Sequence, residues 1–383
     1  MVSCRSARAG RRPRGCGWSC GGDPRASPAA IRRWSRPEGP RIRGRTTDAI
    51  HESTRIRPPR GRRIRAGLHG RSVTSRCAPV PDPGTPGVAW PAKSPASTWP
   101  LVPVRDAGGA VCRLLGSVSP APATVEAVLG AGQRRVFVDM ARLHRDGWGT
   151  AWRDEAGTVR RRSRSATAVG DPELEDLLAG GPSTARIVHL RLATDGFACV
   201  PENTHPFLAD GMAFAHNGSL EPTGPIERLI GAEQRAGIVG TTDTERYFAA
   251  VRTLVARGAE PLDALLDTVA ALRRIYPQRS LNALLLTSDE LLAVHASEGV
   301  PIPWNVFAAS GIPAERLPAH HADAYYLMRS RRGEDGSILF ASSGLDIAGW
   351  EPLPAESITR VDLRTLHAET VPLAQAARRR EVA

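Results

Sequence analysis

One cysteine and one asparagine–glycine pair are the residues whose types and positions suggest covalent chemistry. Cys112 opens the apolar run CRLLG at residues 112–116, and Asn217-Gly218 follows the apolar run GMAFAH. A thiol becomes a strong nucleophile once its proton is removed, and an asparagine amide beside a glycine N–H can stabilise the oxyanion formed in acyl transfer. The pattern therefore indicates acyl transfer with Cys112 as nucleophile.

An arginine and an aspartate could supply the binding part of such a site. Arg191 and Thr194 lie at the end of the alternating run ARIVHLRLAT, and Asp243 lies at the start of a helical pattern. A guanidinium fork matches a carboxylate, and an aspartate can pair with an ammonium group. If the ends of these elements converge, the pair would bind an amino acid by its two charged groups.

Each of these residues also has an ordinary structural interpretation. Cys112 could be a small buried hydrophobe, Arg191 a solvated strand residue, and Asn217-Gly218 a hairpin turn. Asp243 could be an exposed first-turn acid, which would add about 0.3–1 kcal/mol to stability. The individual residues do not decide between these alternatives.

The elements that would position these residues are short strands alternating with a few helices, which predicts an α+β domain of two antiparallel sheets covered by helices. A capping box, Thr242 with Glu245, marks the start of one helix. Strands are predicted at residues 112–117, 134–140, 147–153, 158–163, 185–194, 211–218, 281–287, 291–296, 324–329, 337–342 and 358–362, and helices at 122–130, 172–179, 242–255 and 262–276.

The first 110 residues differ in composition from the rest. They hold 22 Arg and Lys against 6 Asp and Glu, a net charge of +16, whereas the remaining residues carry −4; they also hold 15 of the 32 prolines. Such a segment buries too little apolar surface to fold, so we expect residues 1–111 to be a disordered basic extension. Three interpretations compete: a nucleic-acid-binding arm, an organelle-targeting peptide, and upstream sequence that precedes the true start, which we favour because fifty arginines against one lysine indicate a GC-rich gene.

The same composition argues against several classes of protein. No apolar stretch matches a secretory signal or a membrane span, so we expect a cytoplasmic protein without a membrane partner. Nucleic-acid binding would depend on the basic extension alone. No metal site or cofactor is predicted.

Six ordered motifs carry a family resemblance. They are CRLLG from Cys112, DGWG at 146–149, HLRLAT at 189–194, NTHPF at 203–207, HNG at 216–218 and TDTE at 242–245. In this order they resemble the class II glutamine amidotransferases, which are N-terminal nucleophile (Ntn) hydrolases. The DGWG and NTHPF motifs are most similar to the stand-alone branch that includes γ-glutamyl amidases. The resemblance implies a four-layer α/β/β/α sandwich over residues 112–383.

The resemblance also implies a role for each site residue. Cys112 would be the first residue of the mature chain, with its free α-amine as base, so initiation at Val111 followed by methionine removal is expected. Asn217 and Gly218 would form the oxyanion hole, Arg191 would bind the α-carboxylate and Asp243 the α-ammonium. The remaining substrate-binding residues would be Thr194 and His205, which shape the pocket, His216, which orients the turn, and Trp148, which packs beside the nucleophile.

The expected reaction is hydrolysis of the γ-carboxamide of glutamine through a Cys112 thioester, with any ammonia passing to a separate synthase or other acceptor protein. One alternative is a γ-glutamyl-metabolite or γ-glutamyl-peptide amidase without ammonia transfer. From a different class, the domain could be an inactive binding module, although Cys112, Asn217 and Asp243 are all present.

Overall fold

Two antiparallel sheets form the centre of the part of the chain that this computed structural model describes, residues 112–193 and 197–375. Sheet A has seven strands in the order β11-β9-β10-β1-β4-β2-β3, and sheet B has six in the order β13-β12-β8-β7-β6-β5. The strands are β1 Arg113–Ala123, β2 Gly147–Arg153, β3 Val159–Arg164, β4 Ser183–Arg191, β5 Phe207–Ala209, β6 Met212–Asn217, β7 Asn282–Leu286, β8 Glu290–His295, β9 Arg329–Arg332, β10 Ile338–Ala341, β11 Glu351–Pro352, β12 Ser357–Asp362 and β13 Ala368–Pro372.

Helices cover the outer face of each sheet. Within the described ranges they are α1 Val125–Leu129, α2 Ala131–Asp139, α3 Pro172–Gly180, α4 Gly224–Glu227, α5 Ala232–Ala236, α6 Asp243–Val255, α7 Pro261–Ile275 and α8 Trp304–Ala309. Three short 3₁₀ turns add Met140–Arg142, Pro201–Asn203 and Ala314–Arg316.

Three apolar clusters lie between successive layers. Helices α1 to α3 pack on sheet A through residues such as Leu129, Leu174 and Leu190. The two sheets pack on each other through residues such as Leu114, Ile187 and Leu284. Helices α6 and α7 pack on the outer face of sheet B. Because each sheet buries both faces, the order of layers is α/β/β/α, and the predicted four-layer sandwich is confirmed.

Strand β1 has a central position in sheet A, and its residues alternate between the two faces. Leu114 faces sheet B, whereas Leu115 faces the helices. Gly116 allows the sheets to approach closely, because a Cβ there would lie 3.3 Å from Leu284 Cδ1. The start of β1, next to Cys112, is therefore packed against sheet B on one face and against the helices on the other.

Two of the predicted strands are wrong. Residues 134–139 belong to helix α2 and Met140 begins a 3₁₀ turn; Phe137 and Val138 are buried against sheet A, and Arg134 forms ion pairs with Glu126 and Glu175. This apolar run is short enough to suit either a strand or one helical face, and here Arg134, Phe137 and Val138 are buried together at helical spacing. Residues 324–328 are not a strand either, since β9 begins only at Arg329.

Residues 1–111 and 376–383 lie outside the described residues, so the extension and its boundary at residue 111 stay predictions. Among the helices that are described, none has both the length and the apolar character needed to cross a membrane.

Candidate active site

The site forms where strand β1 begins. Cys112 directly precedes β1 and is buried, with its Sγ donating to the Leu192 carbonyl oxygen at 3.8 Å. Its backbone nitrogen donates to Asn217 Oδ1 at 3.1 Å. Arg113 pairs with Leu190 across β1 and β4, so the next position in that register places Cys112 beside Arg191. The nucleophile predicted from sequence therefore lies between the ends of β4 and β6, on two different sheets.

The end of β6 brings Asn217 and Gly218 to this point. Asn217 has one engaged amide atom and one that is not: Oδ1 accepts from Cys112, whereas Nδ2 is buried without a hydrogen-bond partner among the described residues. Gly218 is required for steric reasons, because a Cβ there would lie 2.1 Å from the Ser280 carbonyl oxygen and 2.6 Å from His216 Nε2. The turn at residues 217–218 is therefore packed against Ser280, and Asn217 Nδ2 remains available as a buried donor.

Arg191 lies at the end of β4 with its guanidinium largely buried. In the described structure its side chain makes one long hydrogen bond, from Nη1 to the Asp146 carbonyl oxygen at 3.5 Å. The Asp146 backbone nitrogen donates to the Arg191 carbonyl oxygen at 2.9 Å, and Asp146 Oδ2 accepts from the Ala193 nitrogen at 2.8 Å. Asp146 therefore fixes the backbone that follows Arg191 while leaving most guanidinium donors available for a ligand.

Asp243 begins helix α6, where Thr242 is the N-cap and its hydroxyl accepts from the Glu245 nitrogen at 3.2 Å. The predicted capping box is only half formed, because the Glu245 carboxylate binds the backbone nitrogens of Val239 and Gly240.

Asp243 itself is 3% exposed, so its interpretation as an exposed first-turn acid is wrong. Its Oδ2 accepts from the Leu220 nitrogen at 2.6 Å, and its Oδ1 accepts from the Thr244 nitrogen at 2.8 Å. These bonds hold the carboxylate in a fixed, buried position close enough to Cys112 for its charge to act on the thiol.

Three buried histidines surround these residues. His216 Nδ1 lies 3.1 Å from Thr244 Oγ1 and its Nε2 lies 2.9 Å from the Ser280 carbonyl oxygen, so both ring nitrogens are engaged within the fold. His205 Nδ1 lies 3.0 Å from Nε2 of His189. Burial, with a smaller effect of the Arg191 charge, lowers the pKa of His189 to about 3, and burial also lowers the pKa of His205 and of His216. These rings are neutral at physiological pH.

The Cys112 thiol is protonated in this environment. Burial raises its pKa to about 11; the hydrogen bond to the Leu192 carbonyl oxygen and the charges of Arg191 and Arg113 counteract this, while Asp243 adds to it. A thiol with such a pKa needs a proton acceptor at the moment of attack. Because burial keeps the neighbouring histidines neutral, they are poor acceptors for this proton.

One predicted site residue that the structure describes, Trp148, is not brought to this group. Thr194 lies outside the described residues. Trp148 faces the opposite side of sheet A, within the cluster under helices α1 to α3, and its Nε1 donates to Asp171 Oδ2 at 2.8 Å. Its place in the strand explains this, because Trp148 pairs with Leu190, whose side chain also faces the helices. The geometry does not support the prediction that Trp148 contacts the substrate.

The sequence profile of class-II glutamine amidotransferases matches residues 111–303, half of the chain, and covers Cys112, Arg191, Asn217 and Asp243. The chain belongs to the class II glutamine amidotransferases. It is therefore a member of an enzyme family, as predicted.

The chain is similar over part of its length to several individual proteins. Over 232 residues the chain is 26% identical to the γ-glutamyl-hercynylcysteine sulfoxide hydrolase of Mycolicibacterium smegmatis, covering 60% of this chain and 83% of that protein. Over 131 residues it is 32% identical to a glutamine–fructose-6-phosphate aminotransferase of Brucella abortus, covering 34% of this chain and 21% of that one. This chain therefore spans about a fifth of that aminotransferase. A solved glutamine aminotransferase class-II domain protein from Silicibacter pomeroyi aligns over 68% of this chain and 99% of its own, with 17% identity and a TM-score of 0.46.

Four residues around the candidate site have no role in the sequence-based predictions, although Asp146 and Arg113 lie within two of the motifs. Asp146 fixes the backbone that follows Arg191, and Ser280 holds the Asn217 turn through its hydroxyl and carbonyl oxygen. The Tyr325 hydroxyl donates to the Cys112 carbonyl oxygen, and the charge of Arg113, which lies on the helix-covered face of sheet A, acts on the thiol. Arg113 was visible as a charged residue inside an otherwise apolar strand. Ser280 and Tyr325 follow the nucleophile by more than 150 residues, and no local pattern marks them.

Proposed function

We propose that this enzyme hydrolyses the γ-amide bond of glutamine or of a γ-glutamyl amide through a thioester on Cys112. The arrangement of Asn217 carries the proposal: its Oδ1 accepts from the Cys112 nitrogen at 3.1 Å, while its Nδ2 is a buried donor without a partner in the described residues. A buried unsatisfied amide costs about 1–3 kcal/mol, and a transient oxyanion would satisfy it.

Substrate binding uses the two charges on either side of Cys112. Arg191 pairs with the α-carboxylate and Asp243 with the α-ammonium, which leaves the γ-amide at the thiol. His205 and Thr194 shape the pocket. The contacts that fix the Asp243 carboxylate, and the buried position of Arg191, support these roles, since little reorganisation is needed when an amino acid binds.

The chemical steps are those of acyl transfer with the α-amine as base. The Cys112 α-amine accepts the thiol proton while Sγ attacks the γ-carbonyl carbon, and Asn217 Nδ2 and the Gly218 N–H stabilise the oxyanion. The intermediate collapses to a γ-glutamyl thioester as the ammonium group returns its proton to the departing ammonia or amine. Water then attacks the thioester, and glutamate leaves with the thiol restored.

The leaving group divides the proposal into two versions. In the first, ammonia leaves glutamine and passes to an acceptor on a separate protein. In the second, an amine leaves a γ-glutamyl metabolite, and no transfer occurs. The second version is favoured by the γ-glutamyl-hercynylcysteine sulfoxide hydrolase, because the chain matches 83% of that relative's length and only 21% of the Brucella aminotransferase.

The test uses protein whose first residue is Cys112. Glutamate release is measured with glutamine and with γ-glutamyl-p-nitroanilide, and the diazoketone analogue of glutamine is used as a covalent label. We expect hydrolysis of at least one substrate and one adduct per chain, which peptide mapping places on Cys112. The Cys112→Ala variant is the control and should take up no label. Full activity of Cys112→Ser, or an adduct on another residue, would overturn the proposal.

A further inference from the structure

Arg113, the residue after the nucleophile, is a buried cation without a carboxylate partner among the described residues. Its Nη1 donates to Ser343 Oγ at 2.7 Å, to the Ser343 carbonyl oxygen at 2.9 Å and to the Tyr325 carbonyl oxygen at 3.4 Å. Its Cζ lies 3.9 Å from the centre of the Tyr325 ring. Nε and Nη2 are buried and have no hydrogen-bond partner in the described structure.

Such a group is expensive to bury. An unpaired charge in the protein interior costs several kcal/mol, and each unsatisfied donor adds to that cost. The neutral hydrogen bonds to Ser343 and the cation–π contact with Tyr325 recover only part of it. Burial lowers the pKa of Arg113 from its ordinary value, but a guanidinium still keeps its proton at neutral pH, so the positive charge is retained. A buried charge at this position indicates a function, because a leucine would fit the apolar strand without this cost in free energy.

The groups around Arg113 leave its charge uncompensated. The titratable groups that act on it are Tyr325, Cys112 and Tyr326. His321 and His144 complete this side; they lie 3.3 Å apart through their Nε2 atoms, and burial and the Arg113 charge lower the pKa of His321. None of these groups is an acid that would neutralise a guanidinium at neutral pH.

Arg113 is coupled to the nucleophile in two ways. It is the next residue in the chain, and the Tyr325 ring beneath its guanidinium also donates a hydrogen bond from its hydroxyl to the Cys112 carbonyl oxygen at 3.5 Å. The other charges acting on Cys112 are Arg191 and Asp243. In the proposed function the substrate forms ion pairs with both Arg191 and Asp243. Of the three charges that act on Cys112, only the charge of Arg113 is then not neutralised by the substrate.

We propose that Arg113 is a positioning residue for catalysis: its fixed charge keeps the Cys112 α-amine in the neutral, proton-accepting form, and its stacking on Tyr325 holds the nucleophile's backbone in place. This inference rests on the proposed function. A nearby cation disfavours an ammonium ion, so it lowers the pKa of an α-amine from its ordinary value of about 7.7–8.0. It also favours the thiolate. Both effects increase the reactive form at neutral pH.

Arg186 offers a matched control for this proposal. It is another buried arginine on the helix-covered face of sheet A, with Nη2 donating to the Gly181 carbonyl oxygen at 2.7 Å and Nη1 to Thr150 Oγ1 at 3.2 Å. Its Cζ lies 5.2 Å from the Trp152 ring centre. It pairs with Ser117 rather than with the residues around Cys112, so it shares the burial of Arg113 without its position.

The experiment compares pH profiles of kcat/KM for protein beginning at Cys112, from about pH 5.5 to about pH 9.5. The acid limb of this profile is its fall at low pH, where the α-amine becomes protonated. In Arg113→Met the midpoint of the acid limb should move to a higher pH by about half to one pH unit, because the amine becomes easier to protonate. Arg113→Lys keeps the charge and should keep the limb, and Arg186→Met should keep it as well. The pH dependence of labelling by the diazoketone should shift in parallel, which a purely structural role would not produce.

The outcomes separate the two proposals. If the unsubstituted protein neither hydrolyses substrate nor takes up label, the proposed function fails. If it is active and Arg113→Met is active with an unmoved acid limb, the role of Arg113 is overturned. Arg113→Gln, which can still donate to Ser343, provides the same neutral test if the methionine variant does not fold.

Discussion

Asn217 and Asn282 face each other across strands β6 and β7, yet their amides are used differently. Asn282 is engaged at both ends: Oδ1 accepts from the Ala296 nitrogen at 2.8 Å, and Nδ2 donates to the Tyr326 carbonyl oxygen at 2.5 Å. Asn217 binds the Cys112 nitrogen and keeps a buried donor without a partner among the described residues. Of these two paired and buried asparagines, Asn282 has its whole amide bonded within the fold, whereas Asn217 has a donor available for a ligand.

This contrast predicts opposite effects of alanine at the two positions. Asn217→Ala should lower kcat by roughly 10²–10³-fold, because the oxyanion loses a donor, and should cost only about 1 kcal/mol of stability. Asn282→Ala should retain kcat but lower the free energy of unfolding by about 1–3 kcal/mol for each group left unsatisfied. Steady-state kinetics and denaturant unfolding measure both. Equal losses of kcat in the two variants would contradict the assignment.

Asp243 should determine whether the enzyme requires an α-ammonium group on its substrate. Asp243→Asn removes the charge and should raise KM for glutamine by about 10- to 100-fold, which corresponds to the loss of a charged hydrogen bond. The variant should also discriminate less between glutamine and its deaminated analogue, glutaramate, than the unsubstituted protein does. Unchanged discrimination would show that Asp243 has no contact with the ammonium.

Asp243→Asn has a structural cost, because the carboxylate accepts from both Leu220 and Thr244. A loss of about 1–3 kcal/mol in unfolding free energy is expected. Kinetics should therefore be measured well below the melting temperature. Glu173→Gln, which removes a half-exposed partner of Arg162 in an ion pair remote from Cys112, is the control and should change neither KM nor discrimination.

Arg161 should position the loop that carries His205. Its side chain extends from β3 to three carbonyl oxygens of that loop, with Nη2 2.7 Å from Thr204 O and 3.4 Å from Pro201 O, and with Nε bound to Pro206 O. Arg161→Met should raise KM by roughly tenfold, because charged hydrogen bonds are worth about 1.5–3 kcal/mol. The next residue is the control: Arg162 is exposed and pairs with Glu173, so Arg162→Met should leave KM unchanged. Identical KM values for the two variants would refute this role.

A free amine on Cys112 should be essential. A chain that begins at Cys112 should be active, whereas the same chain with one added glycine before Cys112 should lose at least about 10²-fold in kcat, because an amide nitrogen is not basic. Intact mass and N-terminal sequencing confirm the first residue of each preparation, and native protein should begin at Cys112. Equal activity of the two chains would exclude the α-amine as base.

The family, the layers of the fold and most of the site were predictable from sequence for an identifiable reason. Period-two alternation in β4 and β6, the capping residue Thr242 and the glycine after Asn217 are local features, and local sequence determines them. Arg191, Asn217 and Asp243 lie at the ends of these elements, so the elements bring them together once the fold forms. Local pattern was insufficient at residues 134–140, where an apolar run was compatible with a strand, and packing of Phe137 and Val138 against sheet A accompanies a helix instead.

The sequence by itself determined which chemistry is available: a thiol, an amide donor, a guanidinium and a carboxylate in a fixed order. Only the tertiary structure decided how each is used. It buried Asp243 instead of exposing it, turned Trp148 toward the helices, and stacked Arg113 on Tyr325, more than two hundred residues away. Burial and long-range contacts are properties of packing between layers, and no local pattern encodes which distant side chain will fill the space beside a nucleophile.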